Sequence, residues 1–128
     1  MNARKATLRV AGTVAVAAAM SQIATGTRGV RAFDWREASD QLPEVALASL
    51  DSELSFYAVW YGMAGVLMHR AAGDERVDRA LRPMIAAGWA AAALSRVLSF
   101  RRIGRPDPLF LALGGAEAAL ATVLAATD

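Results

Sequence analysis

The chain has 128 residues, room for one domain, with 55% hydrophobic and 20% charged residues and a mean hydropathy of +0.31. It has no cysteine, which excludes disulfides and thiolate chemistry. A net charge of only +2 on dispersed arginines argues against a nucleic-acid-binding surface.

The placement of the charge decides the class. Met1 to Arg9 is short and basic, with Arg4, Lys5 and Arg9, and Val10 to Thr27 then runs 18 residues without a charge. A basic start before an apolar run is also the form of a signal peptide, but this run continues past the usual length of one. Retained, it is a first membrane span, with Ala11, Ala15 and Ala19 as a smooth stripe for close helix packing.

Gly29 to Ser52 holds Arg31, Asp34, Arg36, Glu37, Asp40, Glu44 and Asp51 and is net acidic. Phe33, Trp35, Val45, Leu47 and Leu50 predict a short helix lying in the membrane interface, with Pro43 in its first turn. A solvated loop with a little helix is the plainer alternative.

Leu54 to His69 is the second uncharged stretch, 16 residues long and rich in aromatics: Phe56, Tyr57, Trp60 and Tyr61. Arg70 to Arg82 reads as a charged turn. Pro83 to Phe100 carries only Arg96, and the basic segment of Arg101, Arg102, Gly104, Arg105, Pro106 and Pro108 cannot stay helical. Pro108 to Thr127 carries only Glu117.

A helix crossing about 30 Å of hydrocarbon needs about 20 mostly apolar residues. A soluble amphipathic helix would instead place polar residues on one face every three or four positions. The four stretches fit the first description, so the expected fold is all-α: a four-helix transmembrane bundle of up-down topology. Its spans fall at about 8–27, 53–70, 82–100 and 108–127, with 29–52 extramembrane or interfacial. The competing reading is a soluble alanine-rich bundle, because alanine fills 30 positions and is nearly indifferent between water and lipid.

Arginine outnumbers lysine 13 to 1, which with the alanine content suggests a GC-rich bacterial genome. The N-terminus and the Arg70–Arg82 segment carry seven basic residues against six on the opposite side, which favours both termini inside.

Two charges lie within spans, Arg96 and Glu117, and Glu53 stands at a span mouth. Charges in a bilayer cost several kcal/mol, so they turn to the bundle interior and pair. At a rise of about 1.5 Å per residue, all three fall in the same half of the bilayer. The prediction is a polar cluster of Glu53, Arg96 and Glu117, with Tyr57 or Tyr61 following Glu53 at helical spacing. An ion-paired staple fixing helix register is the structural reading, and a binding or proton-handling site the functional one. Gly88, Ala92 and Arg96, like Gly114, Ala118 and Ala121, share faces and read as packing surfaces. His69 is the only histidine and has no partner at metal spacing, and no catalytic set can be assembled.

The run Leu50-Asp51-Ser52-Glu53-Leu54-Ser55-Phe56-Tyr57, followed by Tyr61, Gly62 and Gly65, resembles the start of the second helix in an uncharacterised membrane family, domain of unknown function 4345. Leu94-Ser95-Arg96-Val97-Leu98-Ser99, then Gly104 and Pro106, is similar to that family's arginine-serine motif and Gly-x-Pro turn, and Glu117 to its late glutamate. The resemblance runs from about Leu50 to the C-terminus. It implies a four-helix membrane protein with Glu53, Arg96 and Glu117 as signature positions, and no activity. Ser55 departs from the basic residue expected beside the Phe-Tyr pair.

Together these readings predict a multi-pass protein of a bacterial inner membrane with both termini cytoplasmic, serving as a structural or accessory membrane module. The alternative is small-molecule or lipid binding or transport through a polar site of Glu53, Tyr57, Tyr61, Arg96 and Glu117. An enzyme using Glu117 as proton donor or acceptor is a third, weaker reading. No catalytic residue, cofactor, metal or nucleic acid is expected. The expected partners are the lipid bilayer and a second copy or another membrane protein.

Overall fold

The computed structural model describes residues 3–29, 35–106 and 108–126. The described chain forms five α-helices and one 3-10 turn: α1 (Ala3–Thr25), the turn Thr27–Gly29, α2 (Trp35–Asp40), α3 (Glu44–Gly73), α4 (Glu75–Ile103) and α5 (Pro108–Ala126). By length and composition three of them could cross a membrane: α1, α4 and α5. The second expected span, inside α3, falls outside this set. Its Tyr57, Trp60, Tyr61 and His69 lower its hydropathy although it holds no charge from Leu54 to His69.

Each helix boundary has a local cause. Gly26 ends α1 with a positive φ of 66°, and its N–H donates to Gln22 O at 2.8 Å. Asp74 alone separates α3 from α4: its N–H closes α3 on Arg70 O, and its side chain accepts from Arg76 N at 2.8 Å and Val77 N at 3.4 Å. Gly104, at φ 114°, ends α4 with its N–H on Phe100 O at 3.0 Å. Pro108 opens α5, where its missing N–H costs nothing.

Two local expectations change. The short interfacial helix after Pro43 is instead the first turns of α3, because no helix breaker stands between Glu44 and Gly73. Leu47, Leu50, Leu54 and Ala58 continue one apolar line into the uncharged stretch, with Leu47 and Ala58 buried. A separate short helix, α2, lies before Pro43; Phe33 and the side chain of Trp35, invoked for that segment, lie outside what is described. The segment Arg70 to Arg82 is a turn only at Asp74, since the capping carboxylate lets helix resume at once.

The tightest packing joins α1 to α3. The buried residues of α1, Leu8, Gly12, Ala15 and Ala19, recur every three or four positions, and Ala58, Gly65, Met68 and Ala72 do the same on α3. Where the rows cross, a Cβ on Gly12 would lie 2.9 Å from Gly65 O, and a Cβ on Gly65 2.7 Å from Gly12 O. The two backbones therefore touch, as small residues allow between apolar helices. Of the expected stripe, Ala15 and Ala19 are buried and Ala11 is half-buried.

Gly26 lies against Asp51 while Gly12 meets Gly65, so α1 and α3 run antiparallel. Tyr61 of α3 stacks edge-on against Trp89 of α4, and Arg96 of α4 bonds Glu117 of α5. Consecutive long helices thus alternate in direction. The buried core is Leu8, Ala15, Met68, Ala71, Ala72 and Leu124, at the end where α1 begins and α5 finishes. Elsewhere large apolar side chains face outward, among them Val10, Val14, Phe56, Trp60, Met63 and Leu94.

A candidate site at a buried ion pair

Arg96, Glu117 and Tyr61 meet where α3, α4 and α5 converge. Glu117 is 3% exposed. Arg96 grips its carboxylate with two parallel bonds, Nε to Oε2 and Nη2 to Oε1, both 2.7 Å. This fork-on-fork geometry is the strongest form of the pair. Tyr61 Oη donates to Oε1 at 2.5 Å.

The neighbours hold this arrangement in place. A Cβ on Gly114 would lie 3.1 Å from Arg96 Cδ, so the absence of a side chain there leaves the arginine its path between α4 and α5. The Arg96 guanidinium carbon sits 5.8 Å from the centre of the Phe110 ring, within cation–π range. Tyr61 is fixed by the Trp89 ring, 5.5 Å away and nearly perpendicular. Gly88, expected on the same packing face as Arg96, has nothing within 4 Å of its Cβ position and lies open.

Three of the five sequence candidates, Tyr61, Arg96 and Glu117, are thus brought together. Tyr57 is 55% exposed, on the rim of an apolar cleft. Glu53 is exposed and outside the network. It precedes Tyr61 by eight residues, about 12 Å along the α3 axis, a distance that sharing one half of the bilayer does not remove. The single arginine therefore serves one carboxylate.

The cleft, about 280 Å³, opens between α3 and α4 and is lined by Tyr57, Trp60, Tyr61, Met84, Ile85 and Trp89 among others. Its lining includes neither Arg96 nor Glu117; the Tyr61 ring stands at the boundary. With Glu117 bonded to three donors, the cluster is neutral as a whole and its acceptor is occupied. To act as a base, the glutamate would first have to give up Arg96. The arrangement is suited to fixing three helices in register.

A second ion pair was not legible. Arg4, 2% exposed, donates through Nε to Asp78 Oδ2 at 2.9 Å and through Nη2 to Oδ1 at 2.9 Å. Its Nη1 donates to Leu124 O at 2.5 Å, satisfying a carbonyl of the last turn of α5, where a cation also meets the negative end of the helix dipole. Arg82, one turn beyond, reaches Asp78 Oδ2 at 3.3 Å. Only the Asp78–Arg82 spacing was visible in the sequence; Arg4 looked like an ordinary flanking charge.

Asp51 was likewise missed. It accepts from Thr27 N at 2.5 Å, pinning the chain leaving α1 to α3. That bond, then the Thr27 side chain, holds the Asp51 carboxyl below its ordinary 3.8.

These features define the class: an all-α protein whose helices include three long and apolar enough to cross a membrane, tied by two buried ion pairs. The chain belongs to the family described as Domain of unknown function (DUF4345), whose profile matches residues 3–127, the first helix included. No curated protein and no solved structure matches it.

Proposed function

We propose that this is an integral protein of a bacterial inner membrane, with α1, α3, α4 and α5 crossing as a four-helix up-down bundle and both termini cytoplasmic, and that it serves as a structural or accessory module. At about 1.5 Å per residue these helices run roughly 29 to 45 Å, enough for a 30 Å hydrocarbon layer. Aromatic content, rather than charge, keeps α3 below the hydropathy of the other three. Lipid as the solvent also accounts for the outward Val10, Phe56, Trp60 and Leu94, which water would penalise. The strong excess of arginine over lysine and the alanine content support a bacterial source.

The observation that carries the module reading is the closed state of the Arg96–Glu117–Tyr61 cluster. A transport or catalytic carboxylate needs access to its cargo, whereas this one is buried and fully engaged. The test is Glu117→Ala, read by thermal melting in detergent. A module held by this pair loses stability; an unchanged melting point removes the reading.

The cleft supports a second reading, small-molecule or lipid binding, since its Tyr61 wall touches Glu117. Tyr61→Phe separates the two. A ligand site responding to Glu117 through this hydroxyl would lose affinity for added lipid, while a staple would lose only a little stability.

A further inference from the structure

The last turn of α4 and the chain just beyond it combine three cations with two outward apolar side chains. Arg101, Arg102 and Arg105 are all exposed. Ile103 is 87% exposed and Phe100 is 45% exposed. Three residues apart on one helix, Phe100 and Ile103 share a face, with Arg101 and Arg102 flanking it. Gly104 then turns the chain at φ 114° and carries Arg105 past the end of the helix.

The helix dipole alone would account for two of these cations, since arginine near a C-terminus is favourable. It does not account for Arg105, which lies beyond the helix, nor for an isoleucine turned outward beside the arginines. Arg96, five residues deeper, is committed to Glu117 and adds nothing at the surface. At the opposite end of the molecule the basic residues have acidic company: Arg4 and Arg82 hold Asp78, Lys5 holds Glu75, and exposed Arg70 and Arg76 share that end with Asp74. No bond from an acidic side chain to Arg101, Arg102 or Arg105 occurs among the described residues. The acids of their own end belong to α2 and the start of α3, which pack on the Thr27–Gly29 turn.

We propose that the α4–α5 turn binds the phosphate headgroup of an anionic membrane phospholipid, with Phe100 and Ile103 entering the acyl boundary and Arg101, Arg102 and Arg105 facing the phosphate. Guanidinium groups match phosphate oxygens in a bidentate fork, and apolar side chains beside them set the depth. This rests on the membrane reading above.

The test uses the full chain in detergent, titrated with phosphatidylglycerol or phosphatidylcholine and read by native mass spectrometry. Phosphatidylglycerol is expected to bind more tightly, with each arginine changed to glutamine reducing that preference about fivefold and the triple variant Arg101→Gln/Arg102→Gln/Arg105→Gln abolishing it. Arg70→Gln/Arg76→Gln at the other end is expected to leave it unchanged. Equal binding of the two lipids, or a preference surviving in the triple variant, overturns the proposal. Displacement of the lipid by millimolar inorganic phosphate also overturns it, by making the turn a site for a free anion. Alkaline carbonate washing of membranes is run on every variant. Loss of the wild-type chain from the pellet counts against the membrane reading; retention without lipid preference counts against this site alone.

Discussion

Arg4 and Asp78, 74 residues apart in sequence, form a buried two-pronged ion pair, and the same guanidinium binds the Leu124 carbonyl near the end of α5. One side chain thereby ties together the first, fourth and last of the long segments at the end where the apolar core lies. Breaking such a pair leaves a charge stranded, which costs more than the pair itself contributes. Asp78→Ala is expected to destabilise the protein by about 3–5 kcal/mol. The double variant Arg4→Met/Asp78→Ala should be less damaging, since neither charge remains buried alone. Melting of the three proteins in one detergent measures the difference.

Glu117 predicts a graded series at the other polar cluster. Glu117→Ala strands Arg96 and is expected to cost about 3–5 kcal/mol. Tyr61→Phe removes one hydrogen bond from a carboxylate still held by arginine and is expected to cost about 1–2 kcal/mol. Chemical or thermal unfolding in detergent ranks the two; a larger loss for Tyr61→Phe would contradict the geometry.

The glycines predict opposite signs for one substitution. Gly65→Ala drives a Cβ against the Gly12 carbonyl, and backbone cannot swing aside as a side chain can. A loss of about 1–3 kcal/mol is expected, as for overpacking elsewhere. Gly88→Ala meets nothing within 4 Å and should gain up to about 1 kcal/mol from helix propensity. The two melting shifts, measured side by side, check the packing directly.

Asp51 predicts a pH dependence. The Thr27 N–H bond lowers the folded carboxyl below 3.8, so the folded state favours the ionised form. Its contribution is present above the unfolded value and fades as pH falls through the lowered folded value. Asp51→Asn should therefore melt below the wild type at pH 6, with the gap closing under more acid conditions. A gap that stays constant with pH would remove this role.

The sequence revealed what depends on solvent and on spacing along one helix. Uncharged runs located the long helices, and Gly104 with Pro108 located the last turn, because glycine, proline and charge act locally. Arg96 and Glu117 stood out as lone charges in apolar segments, and depth arithmetic brought them to the same level. The same arithmetic placed Glu53 with them, because it resolves height in a bilayer but not 12 Å along one axis. Arg4 and Asp78 were invisible for a related reason. Both lie in charged ends where an ion pair looks like any other flanking charge, and only the closure of the chain on itself brings them together. The Gly12–Gly65 contact was hidden by the abundance of alanine, which makes small-residue spacing common by chance. The start of α3 was set too late because Pro43 to Ser52 carries charge, and charge shows where a span ends rather than where a helix does.

The central claim is that hydrocarbon surrounds the long helices and separates the two ends of the molecule. The chain has no cysteine, so single thiols introduced by Gly73→Cys at the α3–α4 junction, and by Glu37→Cys and Arg102→Cys at the opposite end, can be probed in intact cells with a membrane-impermeant maleimide. Labelling at positions 37 and 102 before lysis, and at 73 only after the membrane is opened, is the predicted result. Equal labelling of all three positions before lysis, or only after it, would contradict the account.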